Sequence, residues 1–328
     1  MPRARRALSA LLEYGPDRGL SFNAPYSSTT NMRIPILCCI TLTAVLSMLS
    51  VCCRSTRHGD TDTPPAQAVR NDAAAEKLGW RLGVQAWTFR DRTACEAIDT
   101  AAKLGVKYIE LYSGQALCPE LKDAKVGVDM PNEQRELLQK KLKSAGVRAV
   151  SFGVVGFDKN EAEARKIFEF AKKMGLENVS CEPEPDAYEL VDKLCNEYGI
   201  NAAIHNHPKP ARYWNPDVVL GAIAGRSKRM GACADTGHWP RSGLVPLDCL
   251  KKYEGHIIEL HFKDITDGVD QPWGTGKGDA RGMLAELKRQ GFKGLINVEY
   301  EDGAGAVLEA NVARCIKFFD DTARELSK

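Results

Sequence analysis

Short apolar runs alternate with longer amphipathic segments along this 328-residue sequence, and this order constrains the fold more than any other feature. From Leu82 onward we count eight runs of strand length, each followed by a segment with helical periodicity. Glycine repeatedly closes the helical segments, and Asn, Asp or Pro often begins them, as in the helices predicted over 132–145 and 160–174. Eight strands and eight helices in strict alternation predict a single-domain (β/α)8 TIM barrel. The predicted strands are LGVQAWTF, YIELY, RAVSFGVV, NVSCE, AAIHNH, MGACADTGH, IIELHFKD and LINVEYE.

An open, doubly wound parallel sheet is the alternative architecture for the same alternation. Its nucleotide-binding version requires a GxGxxG turn after the first strand, and none is present there. The net charge of +2 also argues against broad nucleic-acid binding, which usually needs a basic face.

The N-terminal region contains an uncharged apolar stretch, residues 34–53, with arginines on both sides. Its length is typical of a signal peptide or a membrane anchor, and Met32 is a plausible start for such a segment. Cys52 or Cys53 is a candidate for lipid attachment. We therefore predict an exported protein, periplasmic or membrane-anchored, with the possibility of a lipoprotein. The predicted parts are an N-terminal extension (1–53), a flexible polar linker (54–78) and the barrel (79–328).

Eleven cysteines are present, and four of them lie in the N-terminal apolar segment. The other seven are scattered singly, with no CxxC pair. This spacing is neither that of a zinc knuckle nor that of a dense disulfide framework. We expect most of the seven to be small buried residues.

Polar side chains recur at the predicted C-terminal ends of the strands. His205 and His207 in "AIHNH" are two residues apart, so both point to the same side of the strand. Because the C-terminal ends of barrel strands share one rim, we expect the polar residues there to converge. The rim set is Glu182, His205, His207, Asp235, His238, His261, Lys263, Glu299 and Glu301.

His205, Asp235, His261 and Glu299 come from four consecutive predicted strands. Together they form a nitrogen and oxygen ligand set suited to a divalent cation such as Mn, Co, Zn or Mg. A single strand-end histidine is more often a hydrogen-bonded structural residue. The metal site is favoured because branched apolar residues ordinarily fill such positions.

The motifs "LGVQAWTF", "AIHNH", "CADTGHW", "ELHFKD", "PWGTGKGD" and "NVEYE" resemble the xylose isomerase-like TIM barrels of the sugar phosphate isomerase/epimerase superfamily. The resemblance implies that Asp235, His261 and Glu299 are metal ligands, and that His238 contacts substrate or a second metal. The epimerases have a glutamate on strand five where this chain has His205 followed by Asn206. His205 can bind metal, but it cannot replace a carboxylate base in the same way.

The chemistry shared by this superfamily removes a proton next to a carbonyl carbon. Glu299 is the first candidate base, with Glu182 opposite it. Lys263 is an alternative base if a nearby metal lowers its pKa, or else a charge partner of Asp264 or of a substrate carboxylate.

Aromatic residues near strand ends suit the apolar faces of sugar rings. Trp87, Trp239 and Trp273 are the candidate platforms, and His207 and His238 are further candidates for substrate binding. The Gly-rich stretch 272–279 is a candidate phosphate-binding loop through its backbone N–H groups and Lys277.

These features predict a metal-dependent isomerase or epimerase in carbohydrate metabolism, acting on a sugar or sugar derivative through an enediolate. Three alternatives remain: a sugar lyase or dehydratase on the same scaffold, an endonuclease IV-like phosphodiesterase, and a non-catalytic sugar-binding module. Strands one to three lack histidine, which counts against a three-metal nuclease site.

Overall fold

The computed structural model describes residues 70–121 and 123–328, which contain a closed barrel of eight parallel strands. The strands are β1 (Trp80–Gln85), β2 (Tyr108–Leu111), β3 (Arg148–Phe157), β4 (Asn178–Pro183), β5 (Asn201–His205), β6 (Met230–Asp235), β7 (Ile257–Phe262) and β10 (Gly294–Val298). After β7, a small antiparallel hairpin is formed by β8 (Asp264–Thr266) and β9 (Val269–Gln271). The predicted (β/α)8 barrel is confirmed, and β10 is its eighth strand.

One helix precedes β1, the others follow barrel strands, and together they cover the outside of the barrel. They are α1 (Ala73–Leu78), α2 (Ala94–Lys103), α3 (Asn132–Ala145), α4 (Glu161–Met174), α5 (Tyr188–Tyr198), α6 (Pro216–Ile223), α7 (His238–Arg241), α8 (Pro246–Lys252), α9 (Ala280–Arg289) and α10 (Gly305–Leu326).

Capping residues explain where several helices begin and end. Thr93 and Glu96 form a reciprocal capping box at the start of α2. At the start of α4, the Asn160 side chain accepts hydrogen bonds from two backbone N–H groups. Gly175 ends α4 in the left-handed region, at φ 71°, which a residue without a Cβ adopts at little cost. These local signals account for the agreement between predicted and observed helix ends.

Parallel pairing brings the strand ends to one rim. In the β6–β7 pair, Asp235 is the register partner of His261, and in the β5–β6 pair, His205 is the partner of Cys233. Large apolar side chains fill the layer between the barrel and its helices. Inside the barrel, by contrast, several polar side chains are buried, where branched apolar residues are usual. They include Glu110, Ser151, Asn178, Ser180, Glu259 and Asn297.

The linker prediction for residues 54–78 needs correction at its end. The last six residues of that range form α1, and Ala75 of α1 is buried against the barrel domain. Just before α1, the Arg70 guanidinium binds the Asp320 carboxylate, with Nε and Oδ1 2.9 Å apart. The predicted signal or anchor segment, 34–53, lies outside the described residues. None of the helices that the structure describes is long and apolar enough to cross a membrane.

The cysteine prediction holds for five of the seven scattered residues, which are unpaired and buried: Cys181, Cys195, Cys233, Cys249 and Cys315. Cys95 and Cys118 are also buried, and they form a disulfide between α2 and the chain after β2 that was not predicted. Their separation of 23 residues carries no signal by itself, because only the fold brings α2 beside that loop.

Candidate active site

Four side chains from adjacent strands converge at the C-terminal rim of the barrel. His205, Asp235, His261 and Glu299 are all buried, and one ligand atom from each lies within 4.8 Å of the other three. His261 Nδ1 is 3.1 Å from Glu299 Oε2, and His205 Nε2 is 3.5 Å from Asp235 Oδ2. The structure therefore brings together all four residues of the predicted ligand set.

The unsatisfied atoms of this cluster fit a divalent cation. Both ring nitrogens of His205 and Nδ1 of His261 are buried and have no hydrogen-bond partner within the described chain, whereas Oε2 of Glu299 lies 2.8 Å from the Lys263 ammonium. Such atoms are costly unless something compensates them. Imidazole nitrogens and carboxylate oxygens are typical ligands of Mn, Co and Zn.

Asp235 is held in place by its own backbone and by Asn206. Its Oδ1 accepts hydrogen bonds from the N–H groups of Gly237, at 2.8 Å, and His238, at 2.9 Å. The Asn206 side chain donates to the Asp235 carbonyl and accepts from its N–H, both at 2.9 Å. In "AIHNH", Asn206 thus ties β5 to β6 while His205 and His207 face the site.

Lys263 lies among the carboxylates of the cluster. Its Nζ is 2.7 Å from Asp235 Oδ2, 2.8 Å from Glu299 Oε2 and 3.4 Å from Glu301 Oε2. Burial alone would lower the pKa of Lys263, but these three carboxylates outweigh it and raise the pKa. This geometry favours the charge-partner role over the base role, with Asp235 and Glu299 in place of the expected Asp264.

Glu182 contacts the two histidines of "AIHNH". Its Oε1 is hydrogen-bonded to His207 Nδ1 and lies 3.5 Å from His205 Nδ1. Burial tends to raise the pKa of Glu182, but the nearby His205 ring and the hydrogen-bonded His207 lower it to about 2. Glu182 is thus an ionised acceptor that orients His207.

His238 occupies the rim next to Asp235. Arg241 donates from Nη1 to His238 Nδ1 at 3.0 Å, which leaves Nε2 as the protonated nitrogen of the neutral ring. Burial lowers the pKa of His238 to about 2, and the positive charges of Lys263 and His205 add to this effect. The ring is therefore a neutral hydrogen-bond donor at the pocket.

An open pocket of about 350 Å³ lies above the cluster. Trp87, at the edge of the pocket, is 41% exposed and packs edge-to-face against Tyr112, with ring centroids 5.1 Å apart. The lining residues are Gln85, Trp87, Tyr112, Ser113, Gly153, Val154, His205, His207, His238, Glu299 and Glu301. The pocket thus combines an aromatic side with a side rich in histidine and carboxylate.

Two of the three predicted aromatic platforms do not line this pocket. Trp239 is fully buried and packs on Tyr253, with ring centroids 5.5 Å apart. Trp273 is also buried and packs on Phe262 at 4.5 Å. Both belong to the apolar layer between the strands and the helices, so their prediction as substrate-binding residues is wrong, whereas Trp87 lies where it was expected.

The Gly-rich loop is not an open phosphate cradle. The backbone N–H groups of Gly274, Gly276 and Gly278 all donate to the Asp264 carboxylate, at 2.9, 3.0 and 2.9 Å. Lys277 pairs instead with Asp267, with Nζ and Oδ1 3.0 Å apart. The donors expected to bind phosphate are already used by an anion of the protein.

Some residues of the site were missed from the sequence. Gln85, Tyr112 and Ser113 line the pocket, and Arg241 holds His238. The first three follow strand ends, so the rule that predicted the histidines would also have found them. Glu110 lies beneath His261 and was signalled by its position as the one charge in "YIELY".

Comparison with known proteins places the chain among related barrels. Residues 98–320 match the family model described as xylose isomerase-like TIM barrel. No curated protein is significantly similar in sequence. An uncharacterized protein from Parabacteroides distasonis is 36% identical, with a TM-score of 0.62, over 74% of this chain and 99% of that one.

Two further solved structures share the fold at lower identity. A D-allulose 3-epimerase from Methylomonas sp. in complex with D-allulose is 15% identical, with a TM-score of 0.58, over 74% of this chain and 96% of that chain. The IOLI protein with a bound zinc atom is 16% identical, with a TM-score of 0.57, over 75% and 98%.

Proposed function

The chain belongs to the xylose isomerase-like TIM barrel family, and from this premise we propose that it is a divalent-metal-dependent isomerase or epimerase of a sugar or sugar derivative. The observation that carries the proposal is the buried set of His205, Asp235, His261 and Glu299, of which one ligand atom each lies within 4.8 Å of the others. The bound allulose and zinc of two structural neighbours are consistent with this chemistry.

These four residues would hold the metal. When bound, a divalent cation supplies Lewis acidity that stabilises negative charge on substrate oxygens, as an enediolate requires. Proton transfer is left to the protein. His207 lines the pocket with Glu182 hydrogen-bonded behind it, so this pair is placed to accept a proton. Glu299 directly follows β10, which lies four strands around the barrel from β4 and its Glu182, so Glu299 is the candidate on the opposite side.

The other pocket residues would bind and orient the substrate. His238 lines the pocket, and its Nε2–H, which lies 3.4 Å from Asp235 Oδ2, would donate to a substrate oxygen bound beside it. Trp87 offers an exposed ring face, which suits the apolar face of a sugar. Because Asp264 occupies the N–H donors of the Gly-rich loop, a free sugar fits this site better than a sugar phosphate.

The test is a panel of ketoses and aldoses incubated with metal-loaded protein in D2O and followed by NMR. We expect deuterium at the carbon next to the carbonyl, together with a diastereomer or an aldose–ketose pair. An unsaturated product would instead identify a lyase. Asp235→Ala and Glu299→Ala should lose both metal and exchange, whereas Asp248→Ala, on an exposed carboxylate, should keep both. Full metal content and turnover in the two site variants would refute the proposal.

We also propose that the protein is exported. The uncharged segment 34–53 supports this, and so does the Cys95–Cys118 disulfide, because disulfides persist mainly in oxidising compartments. Fractionation of cells that express the tagged full-length chain tests it. Recovery of the intact N-terminus in the cytosol would contradict the proposal.

A further inference from the structure

We propose that Glu110 is a positioning residue that fixes the ring of His261 for metal binding. Glu110 lies on β2 with its side chain buried inside the barrel. Its Oε2 is 2.7 Å from Nε2 of His261, on the far side of the ring from the cluster. Glu110 lies outside the predicted ligand set and does not line the pocket, so it would act only through His261.

The direction of this hydrogen bond determines which nitrogen of His261 can bind a metal. A carboxylate oxygen accepts hydrogen bonds, so Nε2 must carry the hydrogen in the contact with Glu110. The lone pair of a neutral ring is then on Nδ1. That atom is buried, lacks a hydrogen-bond partner within the described chain and lies 3.1 Å from Glu299 Oε2. Metal-binding histidines are commonly oriented in this way by a carboxylate on the other ring nitrogen.

Glu110 is itself held by two further donors. The Ser180 hydroxyl donates to its Oε1, and the Asn297 amide donates to its Oε2 at 2.9 Å. A carboxylate accepts from all three neighbours without moving. In Glu110→Gln the amide oxygen can still accept from His261 and Asn297 while the NH2 group donates to the Ser180 hydroxyl, which can also accept. The substitution therefore preserves volume but replaces the charged acceptor of His261 by a neutral one, which weakens the hydrogen bond that orients the ring.

The inference rests on the proposed metal site, so the experiment measures metal binding and ring geometry separately. Mn²⁺ and Zn²⁺ affinities are measured by calorimetry and chelator competition for the parent, Glu110→Gln, His261→Ala and Glu259→Gln. Glu259 is the matched control, because it is another buried carboxylate of the barrel interior and its hydrogen bonds go to Ser151 and Asn178 instead of a residue of the ligand set. We expect Glu110→Gln to weaken metal binding about 10- to 100-fold, and Glu259→Gln to leave it within about twofold.

The second readout is which ring nitrogen of His261 carries the hydrogen, from the ¹⁵N shifts of its ring nitrogens in the Zn²⁺-loaded parent and in Zn²⁺-loaded Glu110→Gln. Hydrogen on Nε2 in the parent and a changed tautomer population in the variant support the inference. A parent ring with its hydrogen on Nδ1 overturns it, even if Glu110→Gln does not fold.

The outcomes separate the two proposals. A parent that binds neither metal refutes the proposed function and this inference with it. If the parent binds metal and His261→Ala loses it, but Glu110→Gln binds like the parent, the inference fails and the proposed function stands. Equal losses in Glu110→Gln and Glu259→Gln would indicate general damage to the barrel interior and also overturn the inference.

Discussion

Lys263 provides the sharpest test of how the cluster is held together without metal. Its ammonium lies 2.7 Å from Asp235 Oδ2 and 2.8 Å from Glu299 Oε2, and the Lys263 side chain is fully buried. Lys263→Met removes this charge while keeping most of the apolar stem. Two buried carboxylates then face each other without a cation. Breaking a buried ion pair from one side typically costs about 3–5 kcal/mol, so we expect a loss of that size in the free energy of unfolding.

Metal should reverse much of this loss, because a divalent cation at the cluster neutralises the same two carboxylates. A ligand at a hundredfold excess over its Kd stabilises the native state by about 2.7 kcal/mol, and at a thousandfold excess by about 4.1 kcal/mol. We therefore expect Mn²⁺ to stabilise Lys263→Met more than it stabilises the parent. The assay is urea unfolding followed by circular dichroism, in EDTA and in excess Mn²⁺.

The control is Lys277→Met, which removes an exposed lysine paired with Asp267 and should change stability by no more than about 1 kcal/mol. A loss below about 1 kcal/mol for Lys263→Met in EDTA would show that the ammonium does not compensate the carboxylates. An equal loss with and without Mn²⁺ would show that metal and ammonium do not act on the same charges.

Three further predictions concern single side chains. His205→Ala should weaken metal binding, whereas His205→Glu and His207→Ala should both retain the metal. Elemental analysis that finds metal in His205→Ala but not in His207→Ala would refute the assignment. Glu182→Gln should slow turnover about 10²- to 10⁴-fold with metal retained, and a parent-like kcat would contradict its role behind His207. Burial and the Glu110 charge raise the pKa of Glu259 from 4.5 to about 8, so the native state holds a proton that the unfolded chain releases in this range. The parent should therefore lose stability relative to Glu259→Gln as the pH rises from 4.5 to 8. Urea unfolding curves in which the difference in unfolding free energy between the two proteins is constant with pH would refute this prediction.

The fold could be predicted from local signals because its repeating unit is short. Each strand–helix unit carries its own apolar run and its own glycine stop, so the observed ends of α3 and α4 fall within one residue of the predicted ends. The helix α1 was not predicted, because it is short and is stabilised by contacts far away in sequence. Just before it, for example, Arg70 pairs with Asp320. Polar composition alone cannot reveal such a contact.

The rim cluster could be predicted because strand geometry has a period of two and parallel strands end together. His205, Asp235, His261 and Glu299 all obey this rule. Residues beyond the strand ends obey no such period. In those connecting segments, Trp239 turns toward the helices while Trp87 turns toward the pocket, and the sequence around each provides no signal that separates them.

Asp264 and the glycines that surround it have a consequence for changing the specificity of this protein. A Cβ at Gly276 or Gly278 would collide with Asp264 Oδ1, and one at Gly274 would collide with the ring of Phe318. Substitution at these three glycines would therefore displace Asp264 or Phe318 and destabilise the loop. Ser113, in the turn after β2, is different, because it already carries a side chain and lines the pocket, whereas the adjacent Gly114, at φ 90°, is best kept as glycine. Libraries built there, next to Trp87 and Tyr112, would sample new substrates on an intact barrel.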